Sequence, residues 1–124
     1  MSDLAGRRAE LVTAMTTAGL RVTKDPAGLA GSAPAAIVYG DGVSGMEHVG
    51  RGQVVAGFRI LLVSGAWDGA SASDVLAGLV STLLNALRTL VGWSVGEVGP
   101  DSAVTIGTNR LLGADVRTSV MIDV

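Results

Sequence analysis

The chain has 124 residues, a net charge of −2 and an apolar fraction of 48%. This length predicts one domain, over residues 1–124, with a single core, and the apolar content excludes an intrinsically disordered chain. The lack of cysteine excludes disulfides and thiolate metal sites, and the singly scattered charges exclude the basic footprint of a nucleic-acid-binding protein.

Neither a membrane span nor a signal peptide is expected. No apolar run approaches the roughly 18 residues that a span requires, and the first residues lack the apolar stretch of a secretory signal. We therefore expect synthesis in the cytoplasm and no membrane partner.

The first predicted element is an amphipathic helix from Asp3 to Ala18. Its apolar residues share one face at helical spacing, and Gly19 has the position of a helix-ending glycine in the left-handed conformation. Alternation in Leu20–Lys24 predicts a short strand, which Asp25-Pro26 breaks. The small residues of Pro26–Pro34 then predict a loop.

Two strands are predicted in the next part of the chain. Ala35–Tyr39 is a short apolar strand, and Gly40–Gly45 reads as a turn or loop tip. Gln53–Ser64 is a long strand with apolar residues on both faces, typical of a central strand covered on both sides or facing a partner. Gly57 within it indicates a bulge or a close backbone approach.

The stretch Ser71–Gly92 predicts the helix around which the domain is built. Ser71 and Asp74 fit a capping box, and Gly92 suits the end of the helix. Large apolar residues form one face and polar or small residues the other, so one side is buried and the other is available. The apolar face consists of Leu76, Val80, Leu83, Leu87 and Leu90, and the opposite face of Asp74, Gly78, Ser81, Asn85 and Arg88.

Three more strands are predicted after this helix: Trp93–Val98, Ala103–Ile106 and Ala114–Val124. The last alternates apolar and polar residues throughout and is the clearest half-buried strand. Most connections between strands are too short for a parallel crossover. The prediction is an α+β fold: a mainly antiparallel sheet with two helices packed on one face.

No catalytic, cofactor or metal site is predicted. The single histidine, His48, has only the adjacent Glu47 as a local partner. The residues around Ser44 do not form the Gly-x-Ser-x-Gly motif of a nucleophile elbow, and Gly40-Asp41-Gly42 lacks the Gly-Lys-Ser/Thr of a phosphate loop. We therefore expect a protein that is not an enzyme.

Interface residues are predicted instead. Trp67, in a glycine-rich connection, either anchors an interface or folds over the start of the helix, and both interpretations stay open. Leu111, beside Arg110, is a second candidate for burial between subunits. The long loop Gly40–Gly52 and the loop Pro26–Pro34 are further candidates, as arms that order on assembly. The candidate interface residues are Asp41, Val43, Met46, Trp67, Arg110 and Leu111.

The order of these elements resembles that of the tail terminator proteins of long-tailed bacteriophages. The likeness covers nearly the whole chain and is one of layout rather than of a diagnostic motif. It rests on the N-terminal helix, the Leu20–Pro26 strand and break, the Ala33–Tyr39 strand, the long Val54–Val63 strand, the Asp74–Leu90 helix and the alternating C-terminal strand.

This resemblance implies a structural virion protein without catalytic residues. Family members form a homohexameric ring that caps the tail tube at its head-proximal end and meets the head-side connector or stopper protein. Genomic DNA passes through the ring without sequence-specific binding, and the net charge of −2 suits such a pore. The alternatives are another head–tail joining or minor tail protein and, from a different class, a small ligand-binding α+β domain with a pocket between helix and sheet.

Overall fold

The structure is a computed structural model that describes residues 4–23, 35–44, 53–64, 69–106 and 109–123. The elements in these ranges are α1 (Leu4–Thr17), β1 (Val22–Thr23), β2 (Ala35–Ser44), β3 (Gln53–Val63), α2 (Gly69–Arg88), β4 (Trp93–Val98), β5 (Ser102–Ile106) and β6 (Asn109–Asp123). The sheet order is β1-β2-β3-β6-β4, and β5 also pairs with β6. Among the described strands, all pairs are antiparallel except β1 with β2.

Both helices pack against one face of the sheet, which confirms the predicted α+β fold. Alternate residues of β3 face the helices and are almost completely buried: Ala56, Phe58, Ile60 and Leu62. Leu11 and Met15 of α1 and Leu76, Leu83 and Leu87 of α2 complete the same core. The opposite side of the sheet, which neither helix covers, is called the outer face below.

The centre of the sheet is an unbroken antiparallel ladder between β3 and β6. It runs from Gln53 opposite Asp123 to Val63 opposite Gly113 without a register shift. The predicted alternation of the last strand is confirmed, since Val116, Thr118, Val120 and Ile122 are buried. The strand starts at Asn109 rather than Ala114, because its first residues pair with β5.

Strands β4 and β5 form one interrupted strand along the free edge of β6. Gly113 pairs with Val63 on one side and Ser102 on the other, so β5 lies on the edge of β6 opposite β3. Strand β4 lies on this same edge, and its register shifts between Val95 and Glu97. Such bulges increase the twist of an edge strand.

The predicted turn at Gly40–Gly45 is wrong for its described part, because β2 continues to Ser44. The register with β3 shifts between Gly40, opposite Phe58, and Val43, opposite Ala56. One extra residue on β2 therefore forms a bulge opposite Gly57. Gly40-Asp41-Gly42 thus remains part of the strand and does not form a turn. Gly57, where the sequence indicates a bulge or a close backbone approach, keeps a regular register with β6, and the extra residue lies on β2 opposite it. Residues 45–52, with His48, and the predicted loop 26–34 lie outside the described residues.

The C-terminal end of α1 agrees with the prediction, whereas the ends of α2 differ from it. Gly19 has a φ of 96°, and the amides of Gly19 and Leu20 donate to the carbonyls of Thr16 and Met15, both at 3.0 Å. This is the Schellman pattern, so the predicted C-terminal glycine is confirmed.

The capping box predicted for α2 is wrong, because the helix begins at Gly69 and Ser71 lies inside it. At the other end the helix stops at Arg88, and Gly92, with a φ of 85°, lies in the turn that leads into β4. The two faces of this helix follow the prediction. Leu76, Leu83 and Leu87 are buried, and the polar stripe from Asp74 to Arg88 is exposed.

Candidate interaction surface

Four of the six predicted interface residues lie in described strands. Asp41 and Val43 belong to β2, and Arg110 and Leu111 to the beginning of β6. Met46 and Trp67 lie outside the described residues. Val43 pairs opposite Ala56 of β3, whereas Leu111 lies beyond the other end of that strand.

The predicted residues do not form one patch. Ala56 is the β3 residue opposite Val43, and Val63 is at the end of β3 near Leu111. At the usual rise per residue these two positions lie about 23 Å apart along β3. Leu111 is only 6% exposed and packs with Ile37 and Val63 in a small cluster on the outer face. Its side chain therefore fills the core of its own chain, while Arg110 beside it is exposed.

A row of four polar or charged residues crosses the outer face from β2 to β4. Tyr39 pairs opposite Arg59, Arg59 opposite Arg117, and Arg117 opposite Glu97. Arg117 and Glu97 are exposed, and Tyr39 and Arg59 are half-buried. We call these four residues the outer row, and they are the chemically distinctive part of the uncovered face.

Arg59 is held between a carboxylate and an aromatic ring. Its Nε lies 3.6 Å from Oδ1 of Asp115, and its Cζ lies 4.9 Å from the centre of the Tyr39 ring. Like charges directly opposite one another destabilise a strand pair. The carboxylate of Asp115 therefore offsets the repulsion between Arg59 and Arg117, which face each other across β3 and β6. The side chains of Arg59 and Asp115 are 40% and 47% exposed, and an ion pair this accessible is worth at most about 1 kcal/mol.

A shallow cleft of about 170 Å³ opens beside the outer row. It is lined by Glu97, Gly99, Asp115 and Arg117, and the amide of Gly99 donates to the Asp115 carbonyl at 2.7 Å. Small-molecule sites commonly span about 300–1,000 Å³. The cleft is therefore smaller than most small-molecule sites.

A larger groove, of about 450 Å³, separates the C-terminal parts of the two helices. Its described lining consists of small and uncharged residues: Ala14, Thr17, Ala18, Thr82, Asn85, Ala86 and Thr89. The hydroxyls of Thr82 and Thr89 donate to carbonyls of their own helix, at 2.9 and 2.7 Å. Among the described lining residues none is charged, so any orientation of a small ligand there would rest on Thr17 and Asn85.

Two classes of site find no support among the described residues. No group of three or more His, Cys, Asp or Glu side chains is placed there to hold a metal ion. In the same part of the chain, neither helix combines the length and the hydropathy that crossing a membrane requires.

The outer row was not predicted from the sequence, although one of its residues lies at a position that the alternation of a strand marks as polar. Arg117 occupies a polar position of the last strand, whose alternation is clear in the sequence, whereas Arg59 lies in a strand that is apolar on both faces. Placing them side by side requires the register of β3 on β6, which alternation within one strand does not specify.

Comparison with models of known protein families finds no match, and comparison with curated proteins finds none either.

Proposed function

We propose that the chain is a structural protein of a bacteriophage virion, a tail terminator. It forms a homohexameric ring at the head-proximal end of the tail tube, stops polymerisation of the tube and joins it to the head-side connector or stopper protein. In this role it is not an enzyme, and genomic DNA passes through the ring without sequence-specific binding.

The observation that carries this proposal is the exposed part of the outer face, around Arg117, Glu97 and Met121. Both helices pack on the other side of the sheet, and the outer row leaves Arg117 and Glu97 exposed. Met121, which also faces outward, is 41% exposed. Tyr, Met and Arg are the residue types enriched in protein interfaces, so this face suits an assembly partner.

The order of elements gives further support. The chain runs α1, three strands, α2 and three strands, which is the layout on which the resemblance to tail terminators rests. The ligand-binding alternative predicts a pocket between helix and sheet, whereas the groove of about 450 Å³ lies between the two helices and its described lining is uncharged.

The direct test is electron microscopy of the purified protein with tail tubes of the same phage and added tube protein. We expect caps at one end of each tube and tubes that no longer elongate at that end. Protein that binds the connector but leaves tube growth unchanged would identify a different head–tail joining protein. Protein that binds neither would contradict the proposal.

A matched pair of variants links this assay to the outer face. Arg117→Ala removes an exposed cation from the outer row, and Arg88→Ala removes one from the exposed stripe of α2. We expect the first to reduce capping and the second to leave it unchanged. Equal capping by both variants would show that Arg117 on the outer face does not contribute to capping.

A further inference from the structure

The first helix and the first strand lie together at the border of the domain. Strand β1 has two residues and is the outermost strand of the sheet, paired with β2 alone. The pairs that join β2, β3, β6, β4 and β5 involve neither β1 nor α1. We call residues 4–23 the N-terminal unit. Its departure breaks none of the other described strand pairs.

The N-terminal unit contributes few side chains to the core. Leu11, Met15 and Leu20 are its buried residues, each at 5% exposure or less. Val12 and Val22 pack against the same core and are half-buried. Because apolar stabilisation scales with the area removed from water, the unit is held by a small part of the energy that holds the domain.

Two polar contacts fix α1 across the sheet. Nη2 of Arg8 donates to the carbonyl of Val38 in β2 at 3.0 Å. Glu10 accepts the 3.0 Å hydrogen bond from the indole of Trp93, at the start of β4. Strands β3 and β6 separate β2 from β4 in the sheet order, so α1 extends over the two central strands.

One polar group of α1 is buried without a hydrogen bond. Among the described residues, Nε of Arg7 finds no acceptor, although Nη1 of the same side chain pairs with Glu10 at 3.1 Å. A buried donor without a partner has lost the hydrogen bonds that water would supply. Opening of the N-terminal unit restores them, which lowers the free energy of the open state relative to the closed one.

We propose that the N-terminal unit opens as a whole while strands β2–β6 and helix α2 stay folded, and that the bond between Trp93 and Glu10 is its latch. Elements with few buried contacts open locally, at a lower free energy than global unfolding. This inference concerns the single chain and goes beyond the proposed function. The latch sets how often the apolar surface beneath α1 is exposed.

Two adjacent amides of β2 distinguish this opening from global unfolding. The amide of Ala36 donates to the carbonyl of Arg21, in the N-terminal unit, at 2.8 Å. Successive backbone groups of a strand point to opposite sides, so the amide of Ile37 points towards β3. Opening of the unit therefore breaks the bond of Ala36 and leaves Ile37 protected.

Native-state hydrogen exchange of the full chain, followed by NMR, measures both openings. A helix as short as α1 is marginal once detached, so we expect the amides of Met15 and Ala36 to share one opening equilibrium. It should be at least about tenfold more populated than global unfolding. The amides of Ile37 and Val116 should exchange only by global unfolding, with a steeper dependence on denaturant because that reaction exposes more surface.

Two variants act differently on the two openings. Trp93→Phe removes the latch, which is absent from the open and the unfolded chain alike. Exchange should therefore accelerate at both Met15 and Val116, by about five- to thirtyfold. Gly113→Ala places a Cβ 3.1 Å from the carbonyl oxygen of Leu62 in the central ladder. This strain persists when the unit opens, so exchange should accelerate at Val116 and stay unchanged at Met15.

Three results would overturn the proposal. If Met15, Ala36 and Ile37 exchange with the same opening equilibrium and the same denaturant dependence, the unit opens only with the whole domain. Faster exchange at Met15 in Gly113→Ala leads to the same conclusion. If Trp93→Phe leaves exchange at Met15 unchanged, α1 opens without breaking the bond, which is then no latch. Glu10→Ala, which removes the acceptor, replaces Trp93→Phe if that variant does not fold.

Discussion

Nε1 of Trp93 donates a 3.0 Å hydrogen bond to Oε1 of Glu10, joining the start of β4 to α1. The same carboxylate forms an ion pair with Arg7, at 3.1 Å. The Trp93 ring is half-buried and lies 5.6 Å from the ring of Phe58, centre to centre. Trp93 thus packs on the core, while its polar edge fixes the first helix to the edge of the sheet.

Replacing Trp93 with Phe should separate these two roles. The variant keeps an aromatic ring near Phe58 and loses the bond to Glu10, so we expect a loss of about 1–2 kcal/mol in the free energy of unfolding. Denaturant unfolding measures this loss. A double-mutant cycle with Glu10→Ala supplies the control, and a coupling energy near zero would show that the bond does not stabilise the fold.

Gly113→Ala should destabilise the protein, and Gly78→Ala should stabilise it. A Cβ on Gly113 would lie 2.6 Å from Cγ2 of Val104 and 3.1 Å from the carbonyl oxygen of Leu62, which is backbone in the central ladder. We expect a loss of about 1–3 kcal/mol from this overpacking.

Gly78 lies in α2, and a Cβ there meets nothing within 4 Å. The higher helix propensity of alanine should therefore add up to about 1 kcal/mol. Thermal unfolding of both variants measures the contrast. Equal shifts in the same direction would contradict the packing described around Gly113.

Leu111→Ala tests whether this side chain belongs to the core or to an interface. Because Leu111 is 6% exposed and packs with Ile37 and Val63, we expect a loss of about 2–4 kcal/mol in the stability of the isolated chain. Arg110→Ala, at the exposed neighbouring position, should cost less than about 1 kcal/mol. An unchanged monomer that no longer assembles would instead place Leu111 between subunits.

Asp115→Asn should have a small effect that depends on salt. The change removes the carboxylate near Arg59 and leaves two arginines opposite each other on the outer face. Because these side chains are only half-buried, at 40% and 47% exposure, we expect a loss of less than about 1 kcal/mol, larger at low than at high ionic strength. Thermal unfolding at two salt concentrations measures it, with the exposed Asp74→Asn as control. A loss independent of salt would contradict an electrostatic origin.

Features of the fold that depend on nearby residues were predictable from sequence. The two faces of α2 follow from the spacing of Leu76, Leu83 and Leu87. The end of α1 follows from Gly19, whose φ of 96° suits a residue without a Cβ. The alternation around Val116 likewise identified the faces of β6.

Features that depend on distant pairing were not predictable in the same way. Gly40-Asp41-Gly42 has the composition of a turn, but pairing with β3 keeps it in a strand through a bulge. Pairing of β5 with Leu111 and Arg110 likewise extends β6 towards its N-terminus. The outer row depends on the register of four strands. The alternation within each strand predicts which face a residue occupies, but it does not predict which residues of other strands lie beside it.

The central ladder also determines when the fold can form. Its pairs join Val63 to Gly113 and Gln53 to Asp123, so α2, β4 and β5 all lie in the chain between the two strands. Contacts between such distant residues incur the entropy of closing a long loop before they contribute stability. We therefore expect folding in roughly milliseconds to seconds, and a nascent chain whose sheet stays open until the last strand has left the ribosome.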